Sequence, residues 1–156
     1  MRWLAIPPLA FVALAISVAA PADPVITKEI ALKAIMIFRD DPLSEEGRAA
    51  AALIVTFVDK NHDVLVALNK KAFPVFDAPG VSQRETSLLL AAFAAGNVDS
   101  QLLRGVKKDD PYAGDLQLIQ TYRQLQKKNP KLKIAGVEKM AEMEQRGELK
   151  RYLSSK

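Results

Sequence analysis

Two short acidic motifs hold the residues of this chain that are best suited to chemistry: Arg39-Asp40-Asp41-Pro42 and Lys108-Asp109-Asp110-Pro111. Paired carboxylates can serve as general acid and general base, or chelate Mg²⁺, when the fold brings them together across a cleft. Asp40, Asp41, Asp109 and Asp110 are therefore the candidates for a carboxylate-based or Mg-dependent enzyme. A plainer role is open to each pair. One Asp can cap a helix, with proline at or near its first position, while the other faces water. The motifs stand 69 positions apart, and each is followed by a long helical pattern and an Asn-containing break. A duplicated helical unit would produce that arrangement, and so would independent use of one good cap. The helices that follow do not match residue for residue, which favours independent use.

Asp59-Lys60-Asn61-His62-Asp63 begins like a calcium loop, with oxygen-bearing side chains at the first, third and fifth positions. Such a loop then needs glycine at the sixth position and a chelating glutamate at the twelfth. Val64 and Lys70 stand there, so the stretch reads as a polar connector. His62 is the only histidine and there is no cysteine. Neither Asp59 nor Asp63 lies at the helical spacing from His62 that two-ligand metal motifs use, and a surface loop residue is expected. The chain has no G-x-S-x-G elbow and no glycine-rich phosphate loop. The absence of cysteine excludes disulfides, thiolate catalysis and Cys-ligated zinc or iron–sulfur centres. On these grounds the sequence assigns no catalytic residue, no metal and no cofactor.

Charge is more informative than any motif. Residues 23–103 carry 8 basic and 11 acidic side chains, whereas residues 104–156 carry 13 basic and 7 acidic. Lys127, Lys128, Lys131 and Lys133 straddle an Asn129-Pro130 break, at the end of a helix whose free carbonyls favour cations. This basic patch is the candidate binding site, and its partner would be an envelope protein or an anionic surface. Nucleic acid is disfavoured, because the region offers only Tyr112, Tyr122 and Tyr152 for base stacking.

The beginning of the chain points to the cell envelope. Arg2 is followed by an apolar run from Leu4 to Val18 and by the small residues Ala20-Pro21-Ala22. That order is the layout of a signal peptide, with cleavage expected after Ala22 and export to a periplasmic or extracellular location. The apolar run is shorter than the roughly 20 residues that span hydrocarbon, and Pro7-Pro8 would break it as a helix. The expected organisation is a signal peptide over 1–22 and one helical domain over 23–156, with no transmembrane span in the mature chain.

Helices must position all these groups, since no convincing pair of strands exists. The chain has 156 residues, 49% of them hydrophobic and 26% charged, enough to bury a core without disulfides. Thr27 can cap a helix through Phe38 that buries Ile30, Ala34, Ile37 and Phe38. Ser44 opens a second helix with Glu45 and Glu46 in its first turn. Its stretch Ala49 to Val58 is apolar except for Thr56, and is expected to be buried on nearly all sides, Leu53 included. Val64 to Leu68 is expected to be helical. Ser82-Gln83-Arg84-Glu85 is a capping box before Leu88 to Ala95, with a stop at Gly96-Asn97. Asp99 would cap a further short helix ending at Gly105. Asp110-Pro111 opens a helix to about Lys128 that buries Tyr112, Leu116, Ile119, Tyr122 and Leu125. The last long helix is expected over Ile134 to Arg146, burying Val137, Met140 and Ala141. The fold class is all-α: five to seven helices with loops of about 2–8 residues, in a compact antiparallel bundle or a short stack of helical hairpins.

Overall fold

The computed structural model describes residues 25–155, and the signal-peptide expectation for residues 1–22 lies outside them. The described chain forms six helices and no strand: α1 (Lys28–Asp40), α2 (Glu45–Lys60), α3 (Gln83–Arg104), α4 (Pro111–Lys128), α5 (Ala135–Gln145) and α6 (Leu149–Ser154). No described helix is long and apolar enough to cross a membrane.

Side-chain caps start the first four helices. The hydroxyls of Thr27 and Ser44 accept from the backbone N–H of Ile30 and Gly47. Ser82 and Glu85 form the reciprocal capping box of α3. Asp110 accepts from the backbone N–H of Ala113. Each bond satisfies one of the donors that a helix start leaves without an intrahelical partner.

The helices assemble as a compact all-α bundle around α3, which packs against α1, α2 and α4. α3 and α4 run antiparallel: Phe93 meets Gly114, Gly96 meets Ala113, and Asn97 meets Asp110. A Cβ at Gly96 would lie 2.1 Å from the Ala113 carbonyl oxygen, so only glycine admits this approach. Gly96-Asn97 therefore does not end a helix. α3 continues through it for 22 residues, and no separate helix begins at Asp99. The true stop is Gly105, in the left-handed region at φ 61°, whose N–H bonds back to the carbonyls of Gln101 and Leu102.

Burial also departs from the expected pattern. α3 is enclosed from Ala91 to Val98. α2 is not: Ala50, Ala51, Ile54 and Phe57 are buried, while Leu53 is 40% exposed and Val55 stands beside water too. Its alanines let α2 lie on its neighbours with one face only. On α1, Ile30 and Ile37 are exposed, and the buried stripe is Ala31, Ala34, Ile35 and Phe38. On α4, Leu116 points outward and Asp115 inward. α5 buries Val137 and Met140 as expected, with Met143 beside them and Ala141 partly covered.

The 22-residue connection from α2 to α3 is far longer than the short loops expected, and Val64 to Leu68 is neither helix nor strand. Its backbone is satisfied by side chains. The Gln101 amide bonds both polar groups of Leu65, accepting from its N–H at 3.0 Å and donating to its carbonyl at 2.7 Å. Asp109 accepts from the N–H of Ala67. Val64, Ala72, Phe73 and Val75 are buried from this connection, with Phe73 edge-on to Phe93 at 6.0 Å. It is a strap across the bundle.

Candidate functional site

Three of the four candidate aspartates are occupied with the backbone and with neighbours. Asp41 follows α1, and its carboxylate accepts from the N–H groups of Leu43 and Ser44. Asp40 is exposed. Asp110 caps α4 and also accepts from the Ser100 hydroxyl at 2.7 Å and from Arg104 at 2.9 Å. Burial disfavours its charge, but those bonds and the Arg104 charge outweigh burial and hold its pKa below the usual carboxylate value. Asp109 accepts from Asn97 at 2.7 Å. Among the described residues no hydrogen bond or ion pair joins one Asp-Asp-Pro motif to the other, and no group of three or more His, Asp or Glu side chains could hold a metal ion. His62 lies exposed in its loop, and its carbonyl accepts from Lys107.

A polar cluster that residue spacing did not reveal lies between α3 and α4. Asn97 is fully buried, and its carbonyl accepts from Gln101 and from the backbone N–H of Asp110. Arg39, at the end of α1, reaches Asp99 at 2.7 Å and Gln117 at 2.9 Å. Asp115 is fully buried, and neither of its carboxyl oxygens has a hydrogen-bond partner. Burial, with the Asp109 charge adding to it, pushes its pKa up to about 9, so it is a neutral acid at physiological pH.

The candidate basic patch is built on a pinned turn. Lys127 and Lys128 end α4, and Lys131 and Lys133 flank the buried Leu132. The Tyr122 hydroxyl, itself buried, accepts from the backbone N–H of Ile134 at 3.0 Å and from Gln126 at 2.9 Å. It lies 3.1 Å from the Glu138 carboxylate, to which it can donate. All four lysines are exposed, and none has an ion-pair or hydrogen-bond partner among the described residues. The turn is thus fixed from inside while its charges face solvent.

Lys128 also borders a groove of about 890 Å³ between α2, α3 and the end of α4. Ala51, Ala52, Val55, Leu88, Ala91 and Leu125 line it with apolar surface. Glu85 accepts from Asn129 at 3.2 Å, and Arg84 and Lys128, each next in sequence to one of that pair, also border the groove. Burial disfavours charge on Glu85, yet its bonds from Ser82 and Asn129 keep its pKa below the ordinary value. Arg84, like Lys128, has no partner among the described residues. Three separate helices make this groove, and no local spacing could have announced it. Comparison of the chain with known protein families, with curated proteins and with solved structures finds no match in any of the three.

Proposed function

We propose that this chain is a small exported protein that acts by binding an anionic surface. One observation carries the reading: Lys127, Lys128, Lys131 and Lys133 stand exposed and unpaired among the described residues, on a turn that Tyr122, Leu132 and Ile134 hold from within. Ammonium groups on flexible stems lose little of their hydration in meeting a charged surface, and their attraction adds without a preformed pocket. The charge imbalance of residues 104–156 supports the same reading. Export rests on the order of charge, apolar run and small residues over 1–22, and the mature protein would begin at Asp23.

The test replaces all four lysines with glutamine, which removes charge and keeps helix-compatible side chains. Binding to vesicles containing anionic phospholipid should fall, by about 1 kcal/mol for each lysine that contacts the surface. The salt dependence of binding should flatten and helical content should stay unchanged. Equal binding by the folded variant would overturn the proposal. Capture of an envelope protein by the wild type, with no vesicle binding, would replace the surface with a protein partner. Intact mass of the product recovered outside the cytoplasm tests export.

A further inference from the structure

We propose that the groove between α2, α3 and the end of α4 binds a single-chain aliphatic anion, a fatty acid, with its carboxylate between Arg84 and Lys128. The inference rests on the reading of the chain as a binding protein, but it concerns a different surface from the lysine turn and shares only Lys128 with it.

The shape and the chemistry of the groove point to the same ligand. Its volume of about 890 Å³ falls in the range of small-molecule sites, which are mostly apolar with a few placed polar groups. Three of the apolar residues that line it are alanine, Ala51 and Ala52 from α2 and Ala91 from α3, and Leu88 and Leu125 beside them are buried. Small side chains on adjacent helices leave a slot. A partner helix would seek large apolar anchors, and Val55 is the one large, substantially exposed apolar side chain along these walls. An unbranched chain of methylenes needs no such anchors, since it gains by removing apolar area from water along its whole length.

Charge at the rim sets the orientation. Arg84 and Lys128 are unpaired among the described residues and both border the groove, each next in sequence to one member of the Glu85–Asn129 pair. The negative charge of Glu85 is engaged by the Ser82 hydroxyl, the Ser82 N–H and the Asn129 amide. Two cations thus remain for a ligand. Arg48 also borders the groove, but its guanidinium is bonded to the Leu43 carbonyl. A carboxylate between a guanidinium and an ammonium makes charge-assisted hydrogen bonds, while its tail runs along the alanine slot.

The experiment titrates the protein from Asp23 onward with decanoate labelled with ¹³C at the carboxyl carbon, followed by NMR of both ligand and protein. Decanoate should bind saturably and one-to-one, moving the backbone signals of Ala52, Val55 and Ala91. Decanol, which lacks the charge, should bind at least about tenfold more weakly. Arg84→Gln with Lys128→Gln should remove that difference and leave decanol binding as it was. Ala52→Phe fills the slot from an exposed position and should abolish binding of both, and Val55→Trp provides a second blocking variant should the first disturb the fold. Helical circular dichroism checks each variant. Decanoate that binds no better than decanol, or binds a folded blocking variant unchanged, overturns the inference. Lysine-dependent binding to anionic vesicles with no saturable decanoate site would sink this inference alone and leave the proposed function standing.

Discussion

Replacing Asp115 with asparagine should make the protein more stable at neutral pH, although it removes a native charged-type residue from the core. The carboxyl is fully buried in α4, has no hydrogen-bond partner and has its pKa raised from 3.8 to about 9. The unfolded chain exposes the same carboxyl to water, where it is ionised at pH 7. Folding must therefore take up a proton. About three pH units separate the ordinary value from pH 7, and at about 1.4 kcal/mol per unit the uptake costs roughly 4 kcal/mol. Asparagine has nearly the same shape and needs no proton. Its amide is left as poorly partnered as the neutral acid, a loss of about 1–3 kcal/mol that both side chains share to a similar degree. The expected gain at pH 7 is about 2–4 kcal/mol. The sign with pH is fixed by the direction of the shift: the native state holds the proton that the unfolded state releases. Wild-type stability from this group is complete below about pH 4 and is lost progressively as pH rises toward 9. Urea unfolding of both proteins at pH 4.5, 7 and 8.5 (about the span of the titration) should give curves that converge in acid and diverge in base. Parallel profiles, or a variant less stable at pH 7, would show that Asp115 is ionised or partnered in the fold.

Four further outcomes follow from the packing. Leu89→Ala deletes a fully buried side chain of α3 and should cost about 2–5 kcal/mol by urea unfolding, whereas Leu53→Ala, at 40% exposure, should cost less than about 1 kcal/mol. Gly96→Ala would gain about 1 kcal/mol from helix propensity alone, but its Cβ would lie 2.1 Å from the Ala113 oxygen, so a lower melting temperature is expected. Asp110→Ala removes the cap of α4 and the partner of Ser100 and Arg104, and should cost about 1–3 kcal/mol, with Asp110→Asn recovering part of it. Because the Asp110 carboxylate titrates below its usual value in the fold, its contribution is present at neutral pH and lost as the solution is acidified through that lowered pKa, so Asp110→Asn should differ least from wild type in strong acid.

Helix starts were the most legible part of the fold, because a cap is a contact between residues two or three apart. Thr27, Ser44, Ser82 and Asp110 all cap where their spacing said they would. Gly96-Asn97 misled because its meaning lies on another helix: the glycine makes room for Ala113, and the asparagine bonds Asp109, Asp110 and Gln101. The expected burial of Leu53 failed for a related reason. An apolar run says that a helix has apolar sides, and the number of neighbours decides how many are covered. Asp115 stands three residues after Tyr112 and four before Ile119, so helical spacing places it on the apolar side of α4, while its residue type alone argues for water. The lysine turn was legible as charge. Its inner pin at Tyr122 and the adjoining groove were not: the pin reaches across the turn to Ile134, beyond the reach of helical spacing, and the groove joins three separate helices.

The strap over residues 61–82 has a dynamic consequence. Leu65 and Ala67 owe their backbone partners to Gln101 and Asp109. Leu65 thus depends on α3 alone, and Ala67 on the turn that joins α3 to α4, so the strap is held by side chains and not by a ladder of its own. Its opening exposes the amides of Leu65 and Ala67 without breaking a bond inside any helix. Hydrogen exchange at those two amides should therefore report a sub-global opening, with a free energy well below that of the buried amides of α3.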